Sequence, residues 1–120
     1  MNGATALERI PPQNLDAEQS TLGSMLLEKD AIYKGAELLR PEDFYREAHR
    51  IIFEVVVYLA NKGEPVDIIT VSEELKQRGL LDKVGGPAYL TQLANFVPTA
   101  ANVEYYANIV AEKSLLRSII

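Results

Sequence analysis

His49 is the only histidine among the 120 residues, and the chain has no cysteine. A structural or catalytic metal site of the zinc type needs three or four nitrogen, sulfur or carboxylate donors, so one imidazole without thiolates is a poor start for one. The carboxylates nearest to it in sequence, Asp43 and Glu47, fall elsewhere on a helix surface. His49 therefore reads as a packed or hydrogen-bonded helix histidine. Glu42-Asp43 and Glu73-Glu74 are paired acids. Neighbours on a helix point about 100° apart and cannot converge on one reacting atom. Both pairs fall near helix starts, where negative charge favours the helix dipole. Ser20, Thr21 and Ser24 have no basic partner at a spacing that would activate a hydroxyl. Gly85-Gly86 lacks the lysine and the preceding strand of a phosphate-cradling loop, so it reads as a turn. The sequence thus predicts no catalytic, cofactor-binding or metal-binding residue.

The elements around these residues read as helices. Residues 1–13 form a loose arm ending in Pro11-Pro12, which favours extended backbone. Asn14 or Asp16 caps a first helix, with Leu15, Leu22 and Leu26 on one face and Glu18 in its first turn. Gly23 costs this helix about 1 kcal/mol relative to alanine, which suggests close approach of another helix. Asp30 caps a short second helix, Ala31 to Leu39, stopped by Pro41. Phe44, Ala48, Ile51, Ile52, Val55, Val56 and Leu59 recur at helical spacing and define a third, closed by Gly63. A fourth begins at Asp67 or Thr70, where Thr70 and Glu73 match a capping box. It ends at Gly79. Pro87 opens a fifth that runs to about Phe96, and a sixth runs from about Val103 to the end. Short connections between about six helices predict an all-α, compact bundle of one domain, residues 14–120.

The formal net charge is -5, the reverse of the basic excess expected for a nucleic-acid surface. Helices around residues 67–78 and 87–96 could imitate a helix-turn-helix. The turn between them is too long, and the second helix has no charge for bases or phosphates. The longest uncharged stretch, Val84 to Val103, contains three prolines and glycines at its start and several amides, so it is no membrane span. No secretory signal is present at the start of the chain. The expected setting is cytoplasmic.

Consecutive helices with a short link are expected to pack antiparallel, so the fifth and sixth read as a C-terminal helical hairpin. Leu90, Leu93, Ala94 and Val97 line one side of the fifth, and Tyr89, Leu93 and Phe96 another. Tyr105, Ile109, Leu116 and Ile120 line one edge of the sixth, and Tyr106, Val110 and Lys113 another. A hairpin apolar on two sides is either central to the bundle or self-associating. The self-association reading assigns an oligomer interface to Tyr89, Leu93, Phe96, Tyr105, Ile109 and Leu116.

Several segments, taken in order, resemble the N-terminal domain of bacterial replicative DNA helicases of the DnaB family. They are Arg9-Ile10-Pro11-Pro12-Gln13-Asn14, Ala17-Glu18-Gln19, Leu22-Gly23, Asp43-Phe44-Tyr45, His49 and Ile52-Phe53. Gly63-Glu64-Pro65-Val66-Asp67, Gly85-Gly86 with Tyr89-Leu90, and Pro98 through Ala107 continue the match. The resemblance implies a hexameric ring that unwinds duplex DNA at the replication fork, moving 5′ to 3′ with ATP. It implies that the P-loop motor, which would bind ATP and Mg²⁺ and most of the DNA, is absent from this chain. It implies a protruding C-terminal hairpin, a collar built by hairpin pairing between subunits, docking of the primase C-terminal domain, and a helicase loader in the full-length protein. It does not single out primase contacts. A stand-alone helical interaction module and a DNA-binding regulator are the competing readings.

Overall fold

The computed structural model describes residues 10–120, and the first nine residues of the expected arm lie outside the described residues. Ile10 to Asn14 are non-helical. Asn14 has extended backbone, and its side-chain oxygen accepts from the Ala17 amide at 2.9 Å. That satisfies one amide with no partner inside the helix and starts α1, Leu15–Leu27.

This helix is buried along most of its surface. Ala17, Glu18 and every residue from Ser20 to Leu26 are covered. Its hydroxyls fit there because they turn back onto their own helix. Thr21 Oγ1 donates to the Ala17 carbonyl and Ser24 Oγ to the Ser20 carbonyl, both at 2.8 Å. Glu28 is extended and serves both as the end of α1 and as the start of α2, Lys29–Leu38. The expected cap at Asp30 is corrected: α2 begins before it, with no side-chain cap bond.

A 3-10 turn, Pro41–Asp43, follows, and Asp43 Oδ2 accepts from the Arg40 amide at 2.7 Å. Helix α3, Glu47–Asn61, turns Ile52, Phe53, Val55, Val56 and Leu59 inward. Gly63, at φ 75, supplies the left-handed residue that ends this stretch. Helix α4, Ile68–Gln77, has a capping box, but with Asp67 and Thr70 rather than the expected Thr70 and Glu73. Thr70 N donates to Asp67 Oδ1 at 2.8 Å, and Asp67 N donates to Thr70 Oγ1 at 2.9 Å. Asp67→Ala removes the carboxylate that accepts from the Thr70 amide on this exposed turn and leaves the bond from its own amide to Thr70 Oγ1. It is expected to cost about 1 kcal/mol, seen as a lower midpoint of thermal unfolding. Thr70→Ala should have a smaller effect, since Asp67 then still has its carboxylate near the helix start.

Helix α5, Gly86–Ala94, and helix α6, Val103–Ser118, complete the bundle. They do not form the expected antiparallel hairpin. Each packs on α1, and there is no substantial packing between the two. Helix α5 also lies against α4, and α6 against α2 and the 3-10 turn. The apolar sides that suggested a hairpin are divided between different neighbours. Among the described residues there is no strand, and the main core is a cluster around Leu22, Met25, Phe44, Ile52, Val56 and Leu90, all at most 1% exposed, with a small second cluster of Ala31, Ala100 and Val103. The close approach expected at Gly23 is real. A Cβ built there would sit 2.2 Å from the Leu93 carbonyl oxygen of α5.

Candidate functional site

Two features of this bundle bear on function: a buried polar tie between three helices, and an outward apolar stripe on α6.

The tie begins at Glu18, which is 1% exposed. A buried carboxylate is costly unless its lone pairs find donors. Glu18 Oε2 accepts from the Tyr45 amide at 2.6 Å, and Oε1 accepts from His49 Nδ1 at 2.7 Å and more weakly from the Arg46 amide at 3.5 Å. His49 has no exposed surface, and its Nε2 meets the Tyr89 hydroxyl at 2.7 Å. An ionised carboxylate only accepts, so the ring proton of a neutral His49 lies on Nδ1. Nε2 then accepts from the tyrosine hydroxyl. Tyr89 Oη in turn accepts from Gln19 Nε2 at 3.2 Å. Helices α1, α3 and α5 are thus joined by one chain of polar groups. Glu18 and His49 are enclosed, while Tyr89 is half-buried at the outer end of that chain. The arrangement positions helices. The sequence reading took His49 as a packed or hydrogen-bonded histidine and set Asp43 and Glu47 aside without naming a partner, and Glu18 supplies one from 31 residues away.

A second tie closes the other side of the bundle. Arg117, in the last turn of α6, donates to the Pro12 carbonyl at 2.8 Å and to the Asp43 carbonyl at 2.6 Å. Ser114 Oγ donates to Asp43 Oδ1 at 2.7 Å. The last part of the expected loose arm is therefore held at Pro12.

The six residues assigned to an oligomer interface do not form one surface. Leu93 has no exposure and belongs to this chain's own core, so it cannot be a contact. Tyr89 is half-buried, and its hydroxyl is engaged with His49 and Gln19. Phe96 keeps 39% of its surface beside α5. On α6, Tyr105 is 68% exposed and Leu116 37%, while Ile109 is partly buried against the core. At 100° per residue, Tyr105, Ile109 and Leu116 fall within an arc of about 40°, with the exposed Glu112 beside them. Val103, Ala107 and Val110, which are buried, lie on the opposite side. Helix α6 therefore presents a mostly apolar stripe to solvent, and Ile119 and Ile120, just past its last helical residue, are 70% and 83% exposed. The sequence reading left both out of the interface set, though Ile120 was legible on that edge.

Among the described residues no group of three or more His, Asp or Glu side chains could hold a metal ion, and no helix is long and apolar enough to cross a membrane. The surface lysines with shifted ionisation are unremarkable. Lys34 is held above the ordinary lysine value, first by its hydrogen bond to Glu37 and then by the charges of Glu37 and Glu104. Lys62 is raised first by a bond to Tyr58 and then by Glu64.

The fold and its polar ties define an all-helical domain whose buried polar groups brace helices. Comparison with known proteins identifies the family. The chain belongs to the DnaB-like helicase N-terminal domain family, whose model matches residues 10–112. It is similar to the crystal structure of the N-terminal domain of DnaB helicase from Mycobacterium tuberculosis, with 57% identity and a TM-score of 0.89, over 90% of this chain and 75% of that one. It is 52% identical over 113 residues to replicative DNA helicase DnaC of Bacillus subtilis, covering 94% of this chain and 25% of that protein. Replicative DNA helicase DnaB of Mycobacterium leprae is 55% identical over 112 residues, covering 93% of this chain and 18% of that protein. The chain therefore spans a quarter or less of the length of these curated relatives.

Proposed function

We propose that this domain is the self-associating, primase-docking collar element of a hexameric replicative helicase. On this reading ATP hydrolysis, Mg²⁺ binding and most DNA contact belong to a motor domain outside these 120 residues. A helicase loader acts on the full-length protein, and the setting is cytoplasmic. The observation that supports self-association is the exposure of Tyr105 and Leu116 on one side of α6, continued past its end by Ile119 and Ile120. Exposed aromatic and aliphatic side chains along one side of a helix are what a helix–helix contact buries.

The test combines sedimentation with calorimetric titration by the primase C-terminal domain. The unmodified chain is expected to sediment above its monomer mass and to bind saturably. Tyr105→Glu with Leu116→Glu is expected to return it to 13.3 kDa with its circular dichroism unchanged, because both side chains are partly or largely outside the core. An unchanged mass for the folded double variant removes α6 as the contact. Absence of primase binding to an assembled oligomer removes this domain as the dock.

A further inference from the structure

The start of α2 carries a surface that the collar reading does not use. It lies at the opposite end of α6 from Leu116, about 18 Å away along that helix. Two clefts flank it. One, of about 490 Å³, lies between α2 and the turn entering α6, and the other, of about 360 Å³, between α2 and the Gly63–Val66 loop. Glu28 lines both, so the first turn of α2 is their shared wall.

Each cleft has an apolar floor. In the first it is Ala31, Ala100 and Val103, a buried cluster apart from the main core. In the second it is Ile32, Ala60 and Val66, with Leu27 at the lip and 42% exposed. The rim is acidic. Glu28, Asp30, Glu64 and Glu104 line the two clefts, against Lys29 and Lys34. Glu28 and Asp30 have no ion-pair partner among the described residues, and Lys34 is already shared between Glu37 at 3.1 Å and Glu104 at 3.8 Å.

We propose that these paired clefts dock a basic amphipathic helix of a partner protein, which lies across the first turn of α2 with one aliphatic side chain in each cleft. The spacing follows from helix geometry. The wall between the clefts is one helix, about 10 Å across, and residues seven apart on a helix are separated by about 10.5 Å on the same side. Lysine or arginine on the flanks of the partner helix meets Glu28 and Asp30, the two carboxylates free to receive them. This is helix-in-groove recognition with the apolar term setting register and the charge term setting sign. The inference is independent of self-association and of primase docking.

The probe is a helical peptide of about 15 residues built on alanine and lysine with two leucines seven apart, titrated into the ¹⁵N-labelled chain and followed by amide shifts. Saturable shifts confined to Leu27–Lys34, Gly63–Val66 and Thr99–Glu104 are expected. Glu28→Lys with Asp30→Lys, both on exposed side chains, should weaken binding about tenfold, since rim attraction becomes repulsion. Ala101→Trp, which fills the first cleft from an exposed position, should abolish the advantage of the leucine peptide over a leucine-free one. Equal response to the leucine-free peptide, shifts gathered at Leu115–Ile120, or no shift at millimolar peptide overturns the proposal. Shifts at the cleft residues that depend on the chain's own concentration, with no peptide present, also overturn it and make a second copy the occupant.

Discussion

Glu18→Ala is expected to destabilise the domain by about 3–5 kcal/mol, a third or more of the stability typical of a domain this size. The carboxylate has 1% exposure and collects the Tyr45 amide, His49 Nδ1 and, more distantly, the Arg46 amide. Its removal leaves two buried donors without an acceptor and a void between α1 and α3. Each orphaned donor costs about 1–3 kcal/mol, and the ionised acceptor makes its bonds stronger than neutral ones. Glu18→Gln separates shape from charge. It fills the space but offers one acceptor oxygen and turns an amide nitrogen toward a donor, so it should recover only part of the loss. Tyr89→Phe tests the far end. It leaves His49 Nε2 without its donor and is expected to cost about 1–2 kcal/mol. Chemical denaturation of the four proteins reads these values directly. Glu18→Ala with a loss below about 1 kcal/mol would mean that water or a shifted side chain replaces the carboxylate and that the tie is not a brace.

Gly23→Ala sets two effects against each other, and the sign of the result decides between them. Alanine is the better helix former by about 1 kcal/mol, so local propensity alone predicts stabilisation. The added Cβ would lie 2.2 Å from the Leu93 carbonyl oxygen, and that oxygen is backbone. No rotamer change relieves such a contact, so α5 must move away from α1. Leu90 and Leu93, both with no exposure, then lose their packing. Overpacking of this kind costs about 3 kcal/mol or somewhat more, which outweighs the propensity gain. A net loss of about 2 kcal/mol or more is expected. Gly23→Leu should fail to give a cooperative unfolding transition. A stabilised Gly23→Ala variant would show that α5 is not seated on this glycine. By contrast Gly63→Ala meets no neighbouring atom and is penalised only by its φ of 75, so its smaller loss calibrates the backbone contribution.

The number of helices and their approximate bounds were legible in the sequence because each carries its own period and punctuation. Asn14, Gly63 and Pro87 act within a few residues of where they stand. The arrangement was harder to read for a specific reason. Helix α1 is the most enclosed element, yet Glu18, Ser20, Thr21 and Ser24 give it the composition of a half-exposed helix. Their burial depends on bonds to Ala17, Ser20, Tyr45 and His49 that periodicity does not record. The short link between α5 and α6 suggested that they pack on each other, whereas both pack on α1. Leu93 entered the interface set on that expectation, and the structure buries it in the core. Gly23 was the one residue whose local cost pointed to the true neighbour relation, and it did not say which helix approaches. Membership of the family was readable from order and spacing alone, and the family match bears it out.

The central place of α1 has a consequence for how the chain is made. Its covering helices all follow it in the sequence, and α6 begins only at Val103, some 75 residues after α1 closes at Leu27. At a synthesis rate of about 5–20 residues per second, that separation leaves the first helix out of the ribosome for roughly 4–15 s before its last cover arrives. During this interval α1, which carries the buried Leu22, Met25 and Leu26, lacks one of the four helices that cover it in the finished fold. The first helix of the bundle is thus fully sheltered only by its last.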